Sequence, residues 1–217
     1  MRILVNDVPD LLEAEADSTL GRLLAEVQDW ARNQGLVVTR FELDGEVLTL
    51  ERQRELAAAG LDGWGELHVS TCLPERLAAD TLQGLDDMLD RLERNHRAAG
   101  EEIQRGRREE GLRGLADGIE GWQLLQHTLG QILALLGLDP GATEAAGEPL
   151  ARRIARLSGV LRDTDEAVTS SDYVALGDLL EYELAPMVTD WRAVVRDLIA
   201  RVEQRLDAPA AGPTEPN

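Results

Sequence analysis

The chain has 217 residues, with 41 acidic side chains against 22 basic ones and a formal net charge of -19. All 22 basic residues are Arg, so a P-loop lysine, a Schiff-base lysine and a lysine general base are excluded. Nucleic acid and anionic membranes attract clustered cations, so we expect this acidic chain to bind neither of them.

The compartment is indicated by the single thiol and by the absence of a long apolar segment. Cys72 has no partner for an internal disulfide and ends an apolar alternating run, which suits a reducing compartment. The apolar N-terminal stretch is too short for a signal peptide, and the longest apolar stretch, 124–138, is broken by Gln126, His127 and Gln131. These features predict a soluble cytoplasmic protein.

The first 35 residues predict a hairpin followed by one helix. An apolar run at 3–5 meets the turn signal Asn6-Asp7-Val8-Pro9, and residues 11–16 then alternate apolar with acidic side chains, as a second strand would. Asp17-Ser18-Thr19 offers a helix cap, apolar residues follow at spacings of three and four, and Gly35 supplies the stop.

Three further strands are predicted before residue 73. Residues 36–43 are rich in β-branched side chains, and Asp44-Gly45 is a typical two-residue hairpin turn into a strand at 46–48. A short irregular piece, 51–63, precedes a last alternating strand at 66–70. The predicted order is strand, strand, helix, strand, strand, strand.

This order resembles the β-grasp of ubiquitin-like domains, in which strands wrap a mixed sheet around one helix. The resemblance covers residues 1–73 and is carried by the element order, the hairpin 41–48, and Leu61 five residues before the last strand. The chain continues through Leu73-Pro74 into further sequence, without the exposed Gly-Gly terminus of a conjugated modifier. The resemblance therefore implies an embedded interaction module.

From residue 74 onward the hydrophobic period is helical. Two long helices are predicted over 77–103 and 112–136, then a polar connection, a third helix from Leu150, and a fourth from about Ser171 that Pro186 kinks or interrupts. We therefore expect an α+β protein: a β-grasp domain at 1–73, an antiparallel helical bundle at 74–207, and a disordered tail at 208–217.

Four glycines recur in the second long helix at spacings of three, four and three: Gly111, Gly114, Gly118 and Gly121. Each costs about 1 kcal/mol relative to Ala inside a helix. Either a neighbouring backbone approaches this face closely, within the bundle or across a dimer, or the helix is kinked or broken near 106–114.

No catalytic motif or cofactor-binding motif is present, so we expect no enzymatic activity and no cofactor. The alternative is a metal-binding or enzymatic bundle, because Glu93 and His96 have half of the spacing of a di-iron site, and Asp178 and Glu181 share one helix face. The second Glu-x-x-His copy is missing, so the sequence favours a surface pair on one helix face for Glu93 and His96. The 16 Arg residues of the helical part favour internal salt bridges for such acids.

The leading hypothesis is a non-enzymatic protein-interaction, adaptor or chaperone-like protein that binds an unidentified protein partner and self-associates. Docking would use the β-grasp sheet or the aromatic face of the helical domain. Aromatic side chains carry much of the binding energy at interfaces, so the predicted partner-binding residues are Tyr173, Tyr182 and Trp191.

Overall fold

A computed structural model describes residues 1–9, 11–15 and 17–207. It contains two compact units, Met1–Leu77 and a second that begins at Ala78. The first is built on a mixed five-stranded sheet and the second is mostly helical, which confirms the predicted α+β class. The boundary predicted at Pro74 is where the first long helix begins, and the predicted tail 208–217 lies outside the described residues.

The N-terminal sheet surrounds one amphipathic helix. Its strands are β1 Arg2–Val5, β2 Val8–Pro9, β3 Val37–Leu43, β4 Glu46–Val47 and β5 Glu66–Cys72, in the order β2-β1-β5-β3-β4. β1 is parallel to β5, and the other pairs are antiparallel. Helix α1, Leu20–Asn33, buries Leu20, Leu23 and Val27 in the core that the sheet also forms, with Thr19 as its cap.

The first hairpin is tighter than predicted. Asn6 and Asp7 both have positive φ, 49° and 65°, and form the two-residue turn, so that Val5 pairs with Val8 and Leu4 with Pro9. The second strand is therefore β2, and the prediction of a strand at 11–16 is wrong for the described residues 11–15. Proline has no N–H to donate to a ladder, which limits extension of β2 beyond Pro9.

The piece 51–63, predicted as irregular, contains the short helix α2, Leu50–Leu56, capped by Thr49. None of its residues is buried, so it leaves no apolar periodicity in the sequence. The Asp44-Gly45 turn between β3 and β4 is present as predicted, with φ of 49° and 84°. The Asp44 carboxylate also accepts hydrogen bonds from the backbone N–H groups of Gly65 (3.0 Å) and Glu66 (2.7 Å).

The second unit is formed by long helices and one small hairpin. Its elements are α3 Pro74–Gln104, α4 Arg108–Leu135, β6 Glu144–Ala145, β7 Glu148–Pro149, α5 Leu150–Thr169, α6 Tyr173–Asp178, a π-helix Leu179–Leu184, and α7 Ala185–Asp207. The two long helices and the helix from Leu150 are confirmed. One large core joins them, including the fully buried Trp122, Leu125 and Val194.

The glycine face of α4 packs closely against α3 of the same chain. A Cβ added at Gly111 would lie 2.5 Å from Cγ1 of Ile103, and one added at Gly118 would lie 2.6 Å from Cε1 of His96. A Cβ at Gly121 would meet Leu92 at 3.0 Å. Close packing within the bundle is thus confirmed for this face, and the break predicted near 106–114 is also present, at Gly106 between the two helices.

Pro186 follows a π-helical turn. In a regular α-helix the proline ring would clash with the carbonyl of residue 182, and the missing N–H would leave that carbonyl without its bond. The π-helix Leu179–Leu184 inserts a wider turn immediately before α7, which begins at Ala185, one residue before Pro186. The regular α-helix is thus interrupted just before Pro186, at the π-helix, and α7 runs through Pro186 itself.

Charged side chains connect α3 to α7. Nη2 of Arg192 lies 2.6 Å from Oδ1 of Asp90 and 3.2 Å from Oε2 of Glu93. Arg196 forms a second ion pair, to Asp86, at 3.3 Å. The Arg192 side chain is only 20% exposed, so these contacts are more than a surface pairing. The expected pairing of Arg with neighbouring acids is present here.

Candidate functional site

An open groove with acidic walls lies beside α5, α6 and the π-helix. Its volume is about 540 Å³. Ala167, Ser170, Ala175 and Leu179 line it together with the phenol ring of Tyr182. Five carboxylate residues complete the lining: Asp163, Glu166, Asp172, Asp178 and Glu183. Among the described residues that line this groove none is an Arg, and of the five acids Asp163 alone forms an ion pair with a described residue, Arg162 at 3.6 Å, so the groove presents concentrated negative charge around one aromatic ring.

Tyr182 is the aromatic side chain that this site offers to a partner. It is 65% exposed and lies in the π-helix, a type of turn that is frequent at functional sites. The negative charge of Glu181, together with a hydrogen bond to it, raises the pKa of the Tyr182 phenol above its ordinary value. Tyr182 therefore stays a neutral hydrogen-bonding group at physiological pH.

The start of α6 sets one wall of the groove. Ser171 has a positive φ of 59°, which turns the chain out of α5. Asp172 then caps α6, because its Oδ1 accepts a hydrogen bond of 3.0 Å from the backbone N–H of Ala175. Val174, in the first turn of α6, is 77% exposed, so an apolar side chain accompanies the charged ones on this short helix.

The other two predicted partner-binding residues, Tyr173 and Trp191, make contacts within the helical unit. The Arg108 guanidinium carbon lies 4.5 Å above the ring centroid of Tyr173, in a cation–π contact, and Tyr173 packs against the core. Trp191 is 2% exposed and belongs to the core, so its proposed contact with a partner does not fit this structure. Trp191 is buried because it lies on the apolar face of α7, which packs into the core.

The four residues of the metal or enzyme alternative are not gathered at one place. Glu93, His96 and Glu181 line a cavity of about 290 Å³, whereas Asp178 lines the acidic groove. Glu93 is already paired with Arg97 (3.3 Å) and with Arg192. Asp178 and Glu181 join no ion pair with described residues, so the salt bridges expected for them are formed by other acids.

His96 is buried, where the sequence indicated a surface pair. Its Nε2 accepts a hydrogen bond of 2.8 Å from the indole N–H of Trp122, and burial lowers the pKa of His96 to about 4. The accepting Nε2 therefore has no lone pair left for a metal. In the described parts of the chain, His, Cys, Asp and Glu form no group of three or more that could hold a metal ion.

Sequence reasoning missed the groove residues Asp163 and Glu166. The available signal was their spacing of three on α5, which places two carboxylates on one helix face. What the sequence did not contain was the position of that face relative to Tyr182, since this depends on the turn at Ser171 and on the π-helix.

Two family models match the chain. Residues 80–194 match a domain of unknown function (DUF8042), and residues 1–72 match the TP0873 N-terminal domain. No curated protein and no solved structure matches. The DUF8042 match falls on the helical part and includes the groove beside Tyr182, and the TP0873 match falls on the N-terminal sheet unit.

Proposed function

The chain belongs to the family of the domain of unknown function DUF8042, and from that premise we propose that it is a non-enzymatic protein-interaction module. Its helical unit binds a basic amphipathic segment of a partner protein in the groove beside Tyr182. The observation that carries this proposal is an aromatic ring, 65% exposed, in a groove lined by five carboxylate residues.

The chemistry of the groove supports a basic segment over other partners. Carboxylates accept charge-assisted hydrogen bonds from guanidinium and ammonium groups, and the groove contributes no cation of its own. Tyr is enriched among the residues that dominate binding energy at interfaces. Tyr182, Leu179 and Ala175 supply apolar contact area, while the acids supply steering and register.

For the N-terminal unit we propose the β-grasp interpretation and a supporting docking role. The mixed sheet, its parallel β1–β5 pair and the packing of α1 on the sheet support this interpretation. β4 pairs with Glu42 and Leu43 of β3, and no other strand in the described ranges pairs with the preceding part of β3 on that side. An extended segment of a partner can add to such an edge.

We place this function in the cytoplasm. Cys72 is the single cysteine of the sequence and has no second thiol for an internal disulfide, which suits a reducing compartment. None of the helices in the described part of the chain combines the length and apolarity needed to cross a bilayer. The glycine face of α4 is covered by α3, so it gives no support to self-association.

The proposal is tested with labelled helical peptides of opposite charge, one Arg-rich and one Glu-rich, and otherwise identical. Fluorescence anisotropy should show saturable binding of the Arg-rich peptide only, weakening as salt rises from 50 to about 300 mM because the charges are screened. Tyr182→Ser should weaken binding about tenfold. Equal binding of both peptides, or none of either, would refute the proposal.

Leu124→Ser is the matched control, because Leu124 is 53% exposed on α4 and does not line the groove. This variant should bind the Arg-rich peptide as the parent does. In the source cell, a photo-crosslinking amino acid at position 182 should capture a partner through a segment rich in Arg or Lys, and the same group at position 124 should not. Capture through an acidic segment would contradict the proposed docking.

A further inference from the structure

The second unit contains an apolar cavity away from the acidic groove, between the C-terminal halves of α4 and α7. Its volume is about 200 Å³. Its walls include Ile132, Leu133, Leu198 and Val202, each no more than 4% exposed, and the loop after α4 closes one side. Most of the lining is apolar, as in pockets that hold small ligands.

Two Arg residues and one acid line the same cavity: Arg201, Arg205 and Glu144. Arg201 is paired with Asp197 at 2.9 Å, and Asp197 also accepts a hydrogen bond of 3.1 Å from the backbone N–H of Ala146. Arg205 is exposed and forms no ion pair with any residue that the structure describes. It is therefore a cation that remains available at the cavity.

One guanidinium at this cavity has no ion pair with a described residue. Arg201 is compensated by Asp197, whereas Arg205 is not paired, and Glu144 is the one acid among the described lining residues. An apolar interior with an available guanidinium suits a molecule that has a hydrocarbon chain and one carboxylate head, because Arg binds carboxylates with fixed, bidentate geometry. A neutral or cationic amphiphile would leave Arg205 unused.

We infer that this cavity is a binding site for a medium-chain carboxylate, with its hydrocarbon chain among Ile132, Leu133 and Val202 and its head at Arg205. The volume limits the chain to roughly six to eight carbons, since a methylene group occupies about as much space as one water molecule, about 30 Å³. This ligand is independent of the peptide groove, whose lining shares no residue with the cavity.

The test uses the full chain and four probes: hexanoate, octanoate, 1-octanol and octylammonium. Methyl NMR titration should show saturable shifts at Ile132, Leu133 and Val202 with octanoate, and octanoate should bind about tenfold more tightly than hexanoate, at threefold to fourfold per methylene. Octanol should bind more weakly than octanoate, and octylammonium most weakly of the three eight-carbon probes.

Two substitutions of exposed side chains test how much the charge at the cavity contributes to octanoate binding, as distinct from apolar packing. Arg205→Gln should weaken octanoate binding about tenfold and leave octanol unchanged, because only the carboxylate uses the guanidinium. Glu144→Gln should strengthen octanoate binding about twofold, since it removes a repelling charge. Arg113→Gln, at the other end of α4 with a side chain 74% exposed, is the matched control and should bind as the parent does.

Several results would overturn the inference. Octanol binding as tightly as octanoate, or octanoate binding unaffected by Arg205→Gln, would remove the carboxylate assignment. Octanoate shifts confined to methyl groups outside the cavity, or no saturable binding, would remove the site itself. A basic peptide that binds in the Tyr182 groove bears on the proposed function alone, so the two can fail separately.

Discussion

The indole N–H of Trp122 donates a hydrogen bond of 2.8 Å to Nε2 of His96, between two helices packed face to face along a row of glycines. Because Trp can only donate, Nε2 must be unprotonated and the neutral imidazole carries its proton on Nδ1. Nδ1 is buried and has no hydrogen-bond partner among the described residues. The imidazole is thus kept neutral by its surroundings.

Stability should fall between neutral pH and pH 4 because of His96. Burial lowers its pKa from 6.5 to about 4, so the unfolded chain takes up a proton in this range while the native chain does not. The native state is favoured above pH 6.5, and about 3 kcal/mol of that preference is lost as pH falls through 4. Urea unfolding at a series of pH values measures this loss.

His96→Gln is the matched variant, since a Gln carbonyl oxygen can still accept from Trp122 and does not titrate in this range. The difference in unfolding free energy between parent and variant should change by up to about 3 kcal/mol from pH 7 to pH 4. Parallel pH curves for the two proteins would show that His96 does not titrate as described.

Gly118→Ala should destabilise the helical unit, although Ala is the better helix former. Its Cβ would lie 2.6 Å from Cε1 of His96, and the ring cannot move without losing its bond to Trp122. Overpacking of this kind costs about 1–3 kcal/mol. Chemical denaturation measures the change in unfolding free energy.

Gly130→Ala is the control on the same helix, because nothing lies within 4 Å of a Cβ at that position. It should raise the free energy of unfolding by about 0.5–1 kcal/mol, the difference in helix propensity. If both substitutions stabilise the protein, the close approach of α3 to α4 at Gly118 is not present in solution.

Arg192→Gln should cost about 1–3 kcal/mol, because it leaves Asp86, Asp90 and Glu93 of α3 without their shared cation. The remaining repulsion is screened by salt, so the loss should shrink at 1 M NaCl. Arg162→Gln, which removes an exposed pair with Asp163, should change stability by less than about 0.5 kcal/mol. Equal losses for the two variants would rule out a special role of Arg192.

Asp44→Ala should weaken the N-terminal unit by about 2–3 kcal/mol, because it removes the acceptor for two backbone N–H groups and places Ala at a positive φ. Asp44→Asn retains one oxygen and a tolerance for that φ, so about 1 kcal/mol should be lost. Amide exchange at Gly65 and Glu66 should accelerate more in the Ala variant. Identical exchange in both variants would argue against the carboxylate contact.

Local signals in the sequence predicted most of the fold. The Thr19 cap, the Gly35 stop and the Asp44-Gly45 turn depend on residues next to one another in the chain, and all three are present. The strand predicted at 11–16 failed because alternation does not say which residues pair. The left-handed turn at Asn6 and Asp7 determines the pairing, so that β1 pairs with residues 8 and 9.

The candidate site was less predictable, because it depends on which face of each helix meets the core. Tyr182 and Trp191 have similar aromatic character in the sequence, yet one is 65% exposed and the other 2%. His96 had a spacing typical of a surface pair, and only the approach of α4 explains its burial. To predict which of these side chains is buried, one needs the rotation of each helix relative to its neighbours. A single sequence does not contain that information.

The π-helix Leu179–Leu184 constrains the number of residues that this part of the chain can have. A π turn is equivalent to one extra residue in an α-helix, and one residue rotates everything that follows by about 100°. Deleting a single residue there would turn Trp191 and Val194 of α7 out of the core and bring polar side chains in. The exposed positions of this segment can accept substitutions, whereas a change in its length would displace the core face of α7.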